Sequence, residues 1–248
     1  MTLSTQPDNK CNICPRRCNI DRTHNKGYCL MNDKIMAARA ALHMWEEPCI
    51  SGERGSGAIF FSGCTLRCVF CQNHDIASAK VGKELSVDEL SDVMLRLQDN
   101  KADNINLVTP THFTIPIIKA IEKARNKGLR IPVVYNTSAY ENVETLRMLD
   151  GIVDVYLPDF KYMDSRLSQQ YSYAADYTET AKKALEEMIR EDSMISLVMR
   201  HSKTAVEAEP AALADLTSTV QIWETSSEIS SEIFSAAEAE PDGPTTDR

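Results

Sequence analysis

Apolar and polar positions alternate with a regular rhythm through the middle of the chain. "GAIFFSG" (57–63) is a short apolar run bounded by glycines, the mark of a buried strand. In "LSVDELSDVMLRLQDN" (85–100), Ser86 and Glu89 have the spacing of a capping box, and Val87, Leu90, Met94 and Leu97 share one helical face. "NINLVT" (104–109) reads as the next strand. "IPIIKAIEKARNKG" (115–128) reads as a helix with Pro116 in its first turn and Gly128 as its stop. The rhythm continues with a strand at "IPVVYNT" (131–137), a short helix at "NVETLRMLDG" (142–151) and a strand at "VDVYLPDF" (153–160). A longer helix follows at "YTETAKKALEEMIRE" (177–191), with Ala181, Ala184, Leu185 and Met188 inward. Near-continuous apolar strands alternating with helices predict an α/β fold whose parallel strands are buried on both faces. Four such units stand out, and "MISLVMRH" (194–201) begins a fifth.

Composition changes this picture at the two ends. The 248 residues are 43% hydrophobic and 25% charged, as in an ordinary soluble globular protein. The formal charge of −9 is uneven: Lys203 to Arg248 carries ten acidic and two basic residues, leaving the rest of the chain nearly neutral. Without a basic face there is no expectation of a nucleic-acid partner. No apolar run approaches the ~20 residues that span a bilayer, and the start lacks the apolar region of a secretory signal, so no membrane partner and a cytoplasmic location are expected. Three regions follow: a Cys-rich arm (1–48), the α/β body (49–201), and an acidic tail (202–248) whose Ser, Thr, Glu and Ala content predicts disorder.

The eight cysteines stand at 11, 14, 18, 29, 49, 64, 68 and 71, with none in the last 177 residues. A disulfide scaffold spreads its cysteines through a small secreted fold, so clusters here point to metal ligation. Cys64, Cys68 and Cys71 follow the first strand directly, at the end of a parallel sheet where loops carry active sites. Three thiolates leave one corner of a four-iron cluster open. His74 stands close enough in sequence to close a structural zinc site instead, and both readings remain. Cys11, Cys14, Cys18 and Cys29 meet the count for a second zinc or iron–sulfur site, structural or auxiliary, with unligated thiols as the alternative. Cys49 is isolated and reads as inert.

CxxxCxxC after a first strand, with Phe70 just before the last cysteine, resembles the radical S-adenosylmethionine enzymes. "GSGAIFFSGCTLRCVFCQN", "NINLVTPTHF", "VVYNTSAYE" and "GIVDVYLPDFKY" are similar to the pyruvate formate-lyase activating enzyme branch that carries an extra Cys-rich N-terminus, from about Cys11 to Arg190. The resemblance implies a partial (βα) barrel of radical SAM type, incomplete at its C-terminus because the units after about Arg200 do not match. Natural divergence, truncation and a shifted reading frame all remain explanations of that departure. It implies that Cys64, Cys68 and Cys71 hold a [4Fe–4S] cluster whose free iron binds S-adenosylmethionine. One electron then splits the sulfonium to methionine and a 5′-deoxyadenosyl radical that abstracts hydrogen. It implies cofactor contacts by Asp159 and Lys161, a D-x-K pair past the fourth strand, and by Asn136. A one-electron donor such as flavodoxin or ferredoxin and a glycyl-radical protein substrate are the implied partners. Where that branch has a Gly-Gly-Glu type segment, this chain has "TPTH" (109–112), which puts Thr109, Thr111 and His112 in its place. Ala139 stands where the branch has glycine. Against these roles stand structural ones, Asp159 as a helix cap and Lys161 as a surface ion pair. For the whole chain, a cluster-binding remnant without turnover and a zinc-stabilised interaction module are the alternatives.

Overall fold

The computed structural model describes residues 10–191, apart from the side chains of Pro48 and Cys49. The expected fifth unit at 194–201 and the acidic segment 202–248 lie outside the described residues, as does the Cys49 thiol.

Strand β1 (Ile35–His43) leads through helix α1 (Pro48–Ser51) to β2 (Ser56–Phe61). Helix α2 (His74–Ala77) and strand β3 (Lys83–Leu85) follow, and then three helix–strand units. These comprise α3 (Val87–Asp99), β4 (Ile105–Val108), α4 (Thr114–Asn126), β5 (Val133–Thr137), α5 (Val143–Leu146) and β6 (Val155–Pro158). Helices α6 (Ser165–Ser172) and α7 (Tyr177–Glu191) end the described chain. The six strands form one sheet in the order β3-β1-β2-β4-β5-β6. Strands β2, β4, β5 and β6 are parallel, as expected, while β1 runs antiparallel to both β2 and β3.

Local chemistry sets the helix limits. The Ser86 hydroxyl accepts from the Glu89 N–H at 3.1 Å and the Glu89 carboxylate from the Ser86 N–H at 2.8 Å, so α3 starts with two of its free donors satisfied. Pro116 sits in the first turn of α4, and Gly128 follows that helix with φ +112°, a stop only glycine takes without strain. The expected helix at 142–151 is shorter: α5 gives way to a 3-10 turn, Arg147–Leu149, before Gly151 reverses the chain at φ +70°.

Burial divides the sheet into two unlike faces. Ile59, Phe61, Ile105, Leu107 and Val133 pack against Leu90, Met94 and Leu97 of α3 and Ile117 and Ile121 of α4. Tyr135 and Tyr156 continue that layer against Leu146, Ala184 and Met188. On the other face the pairing register aligns Arg39, Phe60, Val108, Asn136 and Leu157 in one row across five strands. Arg39 is exposed and the other four are only half-buried. The expectation of strands covered on both faces therefore holds fully on the helix side only.

The segment before β1 is built differently. Among the described residues 10–34 contain no helix and one β-bridge, Lys10 to Asp21. Their turns place Arg17, Asn19 and Leu30 at positive φ, yet Cys14 and Cys29 are buried.

Candidate functional site

The C-terminal ends of the four parallel strands carry every residue that the sequence singled out in the body. Past β2, Gly63 takes φ +82° and donates its N–H to the Ile76 carbonyl at 2.8 Å. A Cβ there would collide with the Cys29 carbonyl oxygen and lie 2.6 Å from the Met31 Cγ, so the position admits only glycine. The chain then curls: Leu66 is fully buried, Arg67 adopts φ +55°, and the N–H groups of Leu66 and Arg67 both approach the Cys64 Sγ at 3.4 Å. Cys71 donates its N–H to the Cys68 carbonyl at 3.2 Å, which brings the third cysteine back toward the second.

Burial raises the Cys64 thiol to about 11, and the neighbouring Cys68 and Cys71 add to the rise. Burial raises Cys71 as well, while Lys161 acts in the other direction. Buried thiols that resist ionisation release their protons readily only to a cation, whose charge takes the place of lost water. His74 does not join the trio; its side chain is 62% exposed and its Nδ1 lies 3.4 Å from Asp75. Among the described residues no three Cys, His, Asp or Glu side chains stand close enough to hold a single metal ion. With His74 turned away, the trio lacks the fourth ligand of a closed zinc site, so the donor set fits a cluster better than zinc.

Residues past β6 close on this loop. Lys161 is 27% exposed and pairs with the more exposed Asp159. Burial acts to lower the lysine's pKa, but Asp159 and the thiols of Cys68 and Cys64 outweigh it, so the ammonium form is favoured. The Lys161 N–H donates to the Tyr177 hydroxyl at 2.7 Å, and that hydroxyl donates to the Ser138 carbonyl at 2.8 Å. Tyr162 is buried, 2.6 Å from the Ser172 hydroxyl and in hydrogen-bond range of the Cys68 thiol. Phe70 is 58% exposed and meets Tyr162 and Tyr171 edge-on at 6.1 and 6.2 Å.

The ends of β4 and β5 form a second group. Thr109 takes φ +59° and donates its N–H to the Asn136 carbonyl at 2.9 Å. The hydroxyls of Thr111 and Thr137 both donate to one oxygen of Glu141, which is 1% exposed and whose other oxygen has no partner among the described residues. Burial pushes the Glu141 carboxyl up to about 7 against those two donors. His112 is 2% exposed, 2.8 Å from the Ser62 carbonyl through Nε2, and burial pulls it down to about 3, so it is neutral. Thr111 and His112 are thus engaged within the protein. Ala139 has φ +59° and no exposure, the strained backbone expected of alanine in a glycine's place.

Sequence reasoning missed Tyr162, Tyr177 and Glu141, and also Arg16 of the N-terminal block. Arg16 donates to the carbonyls of Thr65 at 2.8 Å, Leu66 at 3.3 Å and Ser172 at 2.7 Å, and its guanidinium lies 3.9 Å from the Tyr28 ring centroid. Its flanking cysteines hinted at importance, but a contact 49 residues away leaves no mark in a linear pattern.

A cysteine loop at the C-terminal end of a parallel strand, on an α/β sheet, defines a class, and comparison with known proteins agrees. Residues 58–209, more than half of the chain, match the radical SAM superfamily, and the chain belongs to it. Membership implies an iron–sulfur cluster and S-adenosylmethionine. Among individual proteins, the chain is 31% identical over 182 residues to an uncharacterised protein of Methanocaldococcus jannaschii, covering 70% of this chain and 52% of that one. It is 28% identical over 114 residues to the pyruvate formate-lyase-activating enzyme of Clostridium pasteurianum, covering 43% and 45%. The chain spans about half the length of the curated relatives it matches. Among the described residues no helix is long and apolar enough to cross a membrane.

Proposed function

We propose that Cys64, Cys68 and Cys71 hold a [4Fe–4S] cluster and that the chain reductively cleaves S-adenosylmethionine for hydrogen abstraction. The observation that carries this reading is the three-cysteine loop, pinned by Gly63 past β2 and flanked by the Asp159–Lys161 pair past β6. Such a cluster, when bound, supplies one electron to the sulfonium, which yields methionine and a 5′-deoxyadenosyl radical.

The protein's own groups have separate tasks. The Leu66 and Arg67 N–H groups and the Lys161 ammonium offset negative charge on the sulfurs. Buried Leu66, Tyr162 and Tyr177 keep water from one side of the loop. Asp159 and Lys161, with Asn136 one strand over and Thr109 two strands over, are the polar groups for the cofactor's amino-acid and ribose parts, and exposed Phe70 is an apolar wall. Thr111 contributes through Glu141 rather than by direct contact. Similarity to the Clostridium enzyme supports an activating-enzyme-like role, with a glycyl-radical protein as substrate and flavodoxin or ferredoxin as electron donor.

The test is anaerobic reconstitution followed by iron and sulfide analysis and an assay for 5′-deoxyadenosine under strong reductant. Iron with cofactor cleavage, with the cleavage lost in Cys68→Ala, is the expected result. Zinc alone, iron without cleavage, or cleavage that survives Cys68→Ala overturns the reading.

A further inference from the structure

The N-terminal block raises a physical problem. Residues 10–34 have almost no regular structure, three non-glycine residues at positive φ, and two buried cysteines. Each positive-φ position is strained and persists only where the surroundings enforce it. Ordering some 25 residues with so little core of their own requires another source of free energy.

The four cysteines suggest that source. Gly27 packs between two of them, with the position of an added Cβ 3.4 Å from the Cys18 sulfur and 3.5 Å from the Cys29 sulfur. Cys14 lies within electrostatic range of Cys29 and Cys11, and Cys29 within range of Cys11 and Cys18. Polar hydrogens also stand in this region. The Tyr28 N–H donates to the Cys18 sulfur at 3.2 Å. The buried Arg22 Nε–H has no acceptor among the described residues. An unpaired buried guanidinium N–H is costly, and it is satisfied if negative charge sits beside it.

We propose that Cys11, Cys14, Cys18 and Cys29 ligate an iron–sulfur cluster of their own, packed against the Cys64–Cys71 loop. Four thiolates meet the ligand count of such a cluster. Four cysteines can also hold a tetrahedral zinc, and that occupant is one of the outcomes of the test. The block is also fastened to the first site. Cys29 presents its carbonyl to Gly63, Arg67 donates to the Tyr28 carbonyl at 3.2 Å, and Arg16 grips Thr65 and Leu66. From the other side, Asn142 donates to the Asn12 carbonyl at 2.9 Å and Thr145 to that of Ile13 at 2.6 Å. Filling the N-terminal centre thereby stiffens the backbone that carries Cys64, Cys68 and Cys71.

The experiment uses the full chain, reconstituted anaerobically with iron and sulfide, and does not depend on turnover. A Cys64→Ala/Cys68→Ala/Cys71→Ala variant is expected to keep roughly two to four irons with matching sulfide, the content of one cluster with four cysteine ligands. Mössbauer spectra of the wild-type chain are expected to show two sets of iron sites, only one of which changes when S-adenosylmethionine is added. Hydrogen exchange at Leu66, Arg67 and Cys71 is expected to quicken in a Cys11→Ser/Cys14→Ser variant. Zinc in the triple variant, no metal in it, or a single iron set in the wild type overturns the proposal. Failure of the trio assignment looks different, because the triple variant then retains all of the wild-type iron.

Discussion

Gly63 and Gly128 both take positive φ, but their surroundings predict unlike costs for the same substitution. Gly63→Ala meets the Cys29 carbonyl and Met31 in addition to backbone strain, so it is expected to cost more than about 3 kcal/mol in urea denaturation. Gly128→Ala meets nothing within 4 Å and is expected to cost only the strain, about 1–2 kcal/mol. The buried pair Glu141 and His112 gives a prediction in pH. The Glu141 carboxyl is raised from 4.5 to about 7, so its contribution is complete below pH 4.5 and is lost as pH rises through 7. His112 is lowered from 6.5 to about 3, so its contribution is complete above pH 6.5 and is lost as pH falls toward 3. Between pH 4.5 and 6.5 the two slopes oppose each other and the wild type changes little. Glu141→Gln removes one slope, and its stability is expected to rise by roughly 3 kcal/mol across that window. A flat profile in the variant counts against the buried, neutral state of His112.

Helices α3, α4 and α7 and strands β2, β4, β5 and β6 were legible because caps, apolar period and glycine stops agree along each one. Strand β1 was not. "IMAARAALH" is rich in alanine, which favours helices over strands, and only Ile35 in it is buried. What makes it a strand is its pairing with β2 and β3, which a local pattern does not contain. Helix α6 was hidden by a polar sequence whose buried members are two serines, Ser168 and Ser172. The site divides in the same way. The three cysteines could be read from spacing and Lys161 from the family resemblance, whereas the contacts of Tyr162, Glu141 and Arg16 arise only where distant segments meet. Arg16 links a loop to a helix end, since it binds carbonyls past β2 and at the end of α6. Arg16→Ala is expected to destabilise the fold by roughly 2–3 kcal/mol, and Arg16→Lys to recover little, because an ammonium lacks the flat, forked donors that reach several carbonyls at once. Chemical denaturation of both variants checks this.

For the protein in its entirety, metal held as proposed makes metal and fold one equilibrium, because the cysteine segments hold little core of their own. Stripping the metals with a chelator is expected to lower Tm by about 10 °C and to make residues 10–34 the first of the described residues to be cut in limited proteolysis. An unchanged Tm, or first cleavage within α3 or α4, contradicts that coupling. The meeting of Cys29 and Gly63 has a last consequence, for heredity and engineering. The N-terminal block is not a portable cassette: spliced onto a related scaffold bearing any side chain at the Gly63 position, it finds its seat already taken. A change in either partner is thus tied to the other.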